Sequence, residues 1–138
     1  MSVEIIGNGL KTRLQTITAL KAVFSCSEIP QSVNSFPTAL IFHTGTEYDQ
    51  TMGATNMQLH RFKVKICTQT ADQPSGLNAL LDFVENTGDN SVKAAVDSDV
   101  TLGGKCDTTR VIRNSGQGTF SMGGHVYLGT EFEIEVWE

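Results

Sequence analysis

The closing stretch of the chain constrains its fold more than any other segment. Between Glu131 and Val136 the residues alternate strictly, with Phe132, Ile134 and Val136 in one set and Glu131, Glu133 and Glu135 in the other. Successive side chains of a strand point to opposite faces, so a period of two marks a half-buried strand. A terminal segment is ordinarily frayed. Here the alternation continues to the end, so the last residues are expected to be part of a sheet.

A second segment carries the same period with the opposite charge. From Leu59 to Thr70, Phe62, Val64 and Ile66 face one way, and Arg61, Lys63 and Lys65 the other. If the two strands are neighbours, the stripes form a cross-strand charge ladder, each pair contributing roughly 0.2–1 kcal/mol. Such a ladder reads as a solvated sheet face. The stripes could also meet across a subunit interface, one on each copy. A nucleic-acid groove fits less well, because no aromatic residues interleave with the lysines.

The rest of the chain completes a pattern of strands in runs with a helix between. Val3, Ile6, Leu10, Leu14 and Ile17 recur at helical spacing and predict an amphipathic helix from about 3 to 18, weakened early by Gly7 and Gly9. Leu20 to Cys26 reads as a short strand. Ser27 to Pro37 reads as a loop, and Thr38 to Thr44 as a buried strand. Thr46 to Asn56 is polar and long for a hairpin connection. Pro74 suits the first turn of a helix carrying Leu77, Leu80, Leu81 and Val84 on one face. Val92, Ala95 and Val96 suggest a second short helical turn. Thr101 to Gly104 reads as a turn and Lys105 to Arg113 as a strand. Asn114 to Gly118 reads as a tight turn, and the glycines of Phe120 to Gly124 suggest a bulge or an irregular approach. The final strand starts near His125. This order favours an α+β domain over a doubly wound fold. The expectation is a mainly antiparallel sheet of four to five strands, with two or three helices packed on one face. Leu14, Ile17, Phe62, Val64, Ile66, Leu80, Leu81, Val84, Phe132, Ile134 and Val136 are its expected core.

Composition narrows the function classes. A chain of 138 residues is one domain, residues 1–138, with room for a core. A net charge of −5 argues against general binding to phosphate backbones. No apolar run approaches the ~20 residues a membrane span needs. The opening Met-Ser-Val-Glu-Ile-Ile lacks the basic region of a signal peptide, so synthesis in the cytoplasm is expected. Cys26, Cys67 and Cys106 are widely spaced and odd in number, which suits buried free thiols rather than disulfides or zinc.

No catalytic or cofactor motif stands out. Three histidines, His43, His60 and His125, lie in or beside predicted strands at a spacing that does not support a zinc site. His43 near Glu47 and Asp49 could be an acid–base cluster, although loop carboxylates are usually just solvated. Gly103-Gly104 and Gly123-Gly124 are not phosphate loops, since the Walker spacing is absent. Ser121 does not sit in a nucleophile elbow. Enzyme, cofactor and metal functions are therefore not expected.

The order of these signals resembles the tail-terminator, or tail-completion, proteins of long-tailed bacteriophages. The pieces are the N-terminal helix, the loop from Ile29-Pro30 to Phe36-Pro37 leading into Ala39-Leu-Ile-Phe42, and the loop with Tyr48. The His60 to Ile66 strand, the Leu77 to Val84 helix and the closing Val126 to Val136 strand complete it. The likeness covers most of the chain, and no single motif in it is specific. It implies a homo-oligomeric ring, typically a hexamer, that sits on the tail-tube protein, stops its polymerisation and presents a surface to the head connector or adaptor. It also implies a place in the virion at the head–tail junction, with DNA passing through the lumen without specific binding and no membrane involved. On this reading Arg61, Lys63, Lys65, Glu131, Glu133 and Glu135 carry subunit contacts or stay on a solvated sheet face. Tyr48, Asp49 and Met52 lie on the Thr46 to Met57 loop that would order against a neighbour or the tube. The alternatives are another neck, connector, minor tail or tube protein, or a small cellular α+β binding module.

Overall fold

The computed structural model describes residues 3–18, 20–26, 37–48, 58–70, 83–85, 88, 91–104, 106–122 and 125–137. The elements are helix α1 (Val3–Leu14), strands β1 (Ala22–Phe24), β2 (Thr38–Glu47) and β3 (Leu59–Thr70), helix α2 (Val92–Asp97), and strands β4 (Thr108–Met122) and β5 (His125–Trp137). Phe83 and Val84 are also helical. The fold is α+β, with a five-stranded sheet in the order β1-β2-β3-β5-β4.

That sheet is mixed. Three of its neighbouring pairs are antiparallel, but β1 runs parallel to β2, with Ala22 opposite Thr38 and Phe24 opposite Leu40. The short strand signal and the next one are therefore not a hairpin. A parallel pair needs a crossover of about a dozen residues, and the chain between Phe24 and Thr38 is long enough for one.

Both helices lie on one face of the sheet. Ile6, Leu10 and Leu14 of α1 and Val92, Ala95 and Val96 of α2 share a cluster with the alternate residues Ala39, Ile41, Phe62, Val64, Ile66, Phe132, Ile134 and Val136. Phe83 is fully buried in it, and Val84 packs against it. The expected core positions Leu80 and Leu81 lie outside the described residues. A smaller apolar group, Leu40, Cys67 and Tyr127 with Phe24 and Phe42 beside it, occupies the other face.

Helix α1 starts at Val3 despite its glycines and stops at Leu14, short of the expected end. The Thr16 hydroxyl donates to the Arg13 carbonyl at 2.6 Å, and the Ile17 amide bonds Leu14 three residues back at 3.0 Å. Local hydroxyl bonding competes with helix continuation in this way. Gly7 does not fray the helix; it lets the helix approach β1 closely. A Cβ there would lie 2.8 Å from the Cys26 sulfur. Alanine in a helix interior is favoured over glycine by about 1 kcal/mol. Gly7→Ala is therefore expected to lose that gain to the clash, and Gly7→Ala in a Cys26→Ala background to recover it. Denaturant midpoints check this; a full gain in the single variant would show that the contact is loose.

Ser91 caps α2, accepting a hydrogen bond from the Ala94 amide at 3.1 Å. Beyond the helix, Asp99 accepts from the Thr101 hydroxyl at 2.8 Å and the Gly103 amide at 3.0 Å. These bonds, led by Thr101, hold its carboxyl below the usual range. Leu102 in this turn has a left-handed φ of 53°, yet its side chain is buried in the main core. Left-handed backbone costs a leucine roughly 1–2 kcal/mol, while its burial returns about 1.5–3 kcal/mol.

The expected tight turn at Asn114–Gly118 is not a chain reversal. β4 continues through it to Met122, and the register shifts between Asn114 and Gln117. The Asn114 side-chain oxygen Oδ1 accepts from the Gly116 amide at 2.8 Å, and Gly116 takes a φ of 85°. The Asn-Ser-Gly sequence thus makes a bulge. β4 and β5 pair up to Met122 and His125, which lie opposite each other.

Candidate interaction surface

The face of the sheet opposite the helices carries the two charged stripes side by side. β3 and β5 pair so that Arg61 is opposite Glu135, Lys63 opposite Glu133 and Lys65 opposite Glu131. All six residues are thus brought into one patch. The Arg61 guanidinium bonds Glu135 at 2.8 Å and Glu47 of β2 at 3.2 Å. Glu131 receives Lys65 at 3.3 Å and Lys63 at 3.9 Å. Lys63 leans to Glu131 because its register partner Glu133 is held by Arg113 of β4 at 2.8 Å. Lys65 also stands over the Phe42 ring, 5.3 Å from its centroid.

The ladder therefore spans four strands. Its cations Arg61, Lys63, Lys65 and Arg113 are matched by Glu47, Glu131, Glu133 and Glu135. These side chains retain 20% to 64% of their exposure. Water screens pairs this exposed, and each contributes no more than about 1 kcal/mol. A phosphate would have to displace a carboxylate already in place at every cation, so the patch does not favour nucleic acid. Between the stripes lies a cleft of about 90 Å³ bordered by Arg61, Lys63, Ile112, Glu133 and Glu135. Its volume is well below the ~300 Å³ of a small-molecule site.

The sequence pattern does not place Arg113 or Glu47 in the ladder. Simple alternation misassigns Arg113, because the register shift between Val111 and Arg113 makes Ile112 the extra residue and leaves it 41% exposed. Glu47 looks like a loop residue after Gly45, but β2 continues past a register shift between His43 and Gly45. Tyr48 follows directly, 67% exposed and outside the ladder's ion pairs. Asp49 and Met52 lie outside the described residues.

His43 and His60 form a separate pair at the rim of the helix-bearing face. His43 meets the Phe62 ring edge-on at 5.4 Å, and its Nε2 is 2.8 Å from the Thr46 hydroxyl. His60, buried, has its Nδ1 2.9 Å from the same hydroxyl. The acid–base grouping of His43 with Glu47 does not form: His43 bonds Thr46, and Glu47 bonds Arg61. Desolvation first, then the neighbouring His60, lowers the pKa of His43 below 6.5, with a smaller opposing effect of its backbone bond to Gly45. Among the described residues, no three His, Cys, Asp or Glu side chains gather as metal ligands. The side chain of His125 is outside the described set.

All three cysteines are free; Cys67 and Cys106 are buried, but Cys26 is only half-buried. Burial pushes the Cys67 thiol up to about 12 against a smaller lowering by Lys65, and burial also raises Cys26. At pH 8 a thiol at about 12 is ionised to roughly one part in ten thousand. Iodoacetamide should therefore modify native Cys26 first and Cys67 only on unfolding, as read by peptide mass mapping. Rapid native labelling of Cys67 would contradict its burial.

No protein-family model matches the chain, and no curated protein does. One solved structure aligns over 99% of this chain and 96% of its own length, at 18% identity and a TM-score of 0.43. A likeness at that level carries no argument about function. No described helix is long and apolar enough to cross a membrane.

Proposed function

We propose that this chain is a structural virion protein of a long-tailed phage, a ring that caps the tail tube, ends its polymerisation and provides the surface for head–tail joining. The observation that carries the reading is the four-strand charge ladder on a sheet face free of the described helices. A flat patch of fixed, matched charges suits orientation of a neighbouring protein better than capture of a small molecule. The sheet edges suit such contact less. β1 has three residues, and β4 carries two bulges with Arg110 and Arg113, features that discourage strand addition. Subunit contact is therefore assigned to the ladder face and the exposed Tyr48 at the end of β2. A ring needs a heterologous contact that closes, typically with six copies in this family. The net charge of −5 lets DNA pass through the lumen without adhering. In this role the chain performs no catalysis, and it acts at the head–tail junction after synthesis in the host cytoplasm.

Negative-stain imaging with light scattering tests the reading. Closed rings that do not extend, lost in Lys63→Glu and in Glu133→Lys, support it. Long tubes would instead identify a tube subunit. Assembly unchanged in both variants would remove the ladder from the interface. A monomer that neither binds tail tubes nor blocks their growth would leave a cellular binding module as the better description.

A further inference from the structure

We propose that His43 and His60 form a two-imidazole site for a divalent transition cation such as Ni²⁺, Cu²⁺ or Zn²⁺, entered where the Thr46 hydroxyl now bridges the two rings. The nitrogens converge on one oxygen, at 2.8 Å from His43 Nε2 and 2.9 Å from His60 Nδ1. The ring centroids are 6.2 Å apart. Metal–imidazole bonds are about 2.0–2.1 Å, so each nitrogen must close by roughly 0.8 Å on a metal placed there. Exposed His43 has the freedom to supply most of that movement. Buried His60 is the fixed half of the clamp. Thr46 leaves by rotating its side chain, and water fills the remaining coordination positions.

The proton balance is simple. A hydroxyl between two neutral imidazoles donates to one nitrogen and accepts N–H from the other. Metal binding needs both lone pairs, so one ring moves its proton to its other nitrogen and no proton is released. Partial desolvation first, then the neighbouring His60, lowers the pKa of His43 and so favours its neutral ring. That suits a metal ligand and disfavours an anion, which would need charged rings. The two residues sit on adjacent strands at the β2 register shift, with His60 opposite Thr46 and His43 opposite Phe62. A bound ion would pin that irregular end of the pair and stabilise the folded state.

The experiment is calorimetric titration of the untagged full chain with NiCl₂ and ZnCl₂, in a Cys26→Ser background that removes the half-buried thiol. The expected result is one saturable ion per chain. His43→Gln should weaken binding about tenfold or more, whereas Thr46→Ala and His125→Gln should retain it. Because His60 is buried, His60→Gln is judged only with its circular dichroism intact; loss of binding then supports the clamp. The proposal is overturned if the parent chain shows no saturable binding, if His43→Gln binds as tightly as the parent, or if Thr46→Ala abolishes binding.

Discussion

Phe62→Ala is expected to destabilise the fold by about 3–5 kcal/mol, the range for deleting a buried aromatic ring. Phe62 is 1% exposed and sits on β3, with β2 on one side and β5 on the other. His43 lies opposite it on β2 and Ile134 opposite it on β5. Its ring lies in the cluster that also holds Ile6, Leu10 and Leu14 of α1. A domain is stable by only about 5–15 kcal/mol, so this loss removes a large share. Phe62→Leu keeps most of the volume and should cost about 1.5 kcal/mol or less. Urea unfolding checks both, with the midpoint falling and the slope unchanged. A loss below about 1 kcal/mol for alanine would mean that the ring is not packed as described.

The second large effect is electrostatic. Replacing Glu131, Glu133 and Glu135 together by lysine turns all three β3–β5 rungs repulsive, while the Arg61–Glu47 pair keeps its attraction. At roughly 0.2–1 kcal/mol per pair, counted once for lost attraction and again for repulsion, the triple variant should lose about 1–6 kcal/mol. Exposure of the side chains places the result toward the lower half of that range at physiological salt. Adding Arg61→Glu, Lys63→Glu and Lys65→Glu exchanges the stripes and should recover most of the loss. Glu47 would then face a glutamate at 61 and Arg113 a lysine at 133, since these partners lie on β2 and β4, so recovery is incomplete. Thermal melts at low and high salt measure both steps. A sextuple variant no more stable than the triple one would show that the stripes do not interact as a ladder.

The alternating segments were legible in the sequence because strand periodicity is local. Two residues set the period, and the buried set Phe62, Val64, Ile66, Phe132, Ile134 and Val136 follows from it. Val92, Ala95 and Val96 were legible as one helical face for the same reason. The misplaced features depend on contacts beyond the local pattern. Asn114-Ser-Gly reads as a chain reversal, but pairing of β4 with β5 on both sides of it makes it a bulge. Gly7 reads as a weak point, and its purpose is visible only when Cys26 lies beside it. Phe83 is buried in the core, yet it lies off the helical stripe Leu77, Leu80, Leu81 and Val84, so the local pattern alone leaves it out.

The candidate site divides along the same line. Its six alternating charges could be read directly, including their capacity to form a ladder. The extension to Glu47 and Arg113 could not, because register shifts on β2 and β4 decide which side chains reach the face. The histidine pair was equally hidden: His43 and His60 are seventeen positions apart, and only antiparallel pairing past a bulge turns both nitrogens to Thr46. By itself, the sequence determined the α+β class, the half-buried strands and the charge on their outer sides, since burial periodicity is written residue by residue. The tertiary structure alone decided the parallel placement of β1, the neighbours of each charge and the meeting of the two imidazoles. Those depend on strand order and register, which long-range pairing fixes and short-range pattern does not.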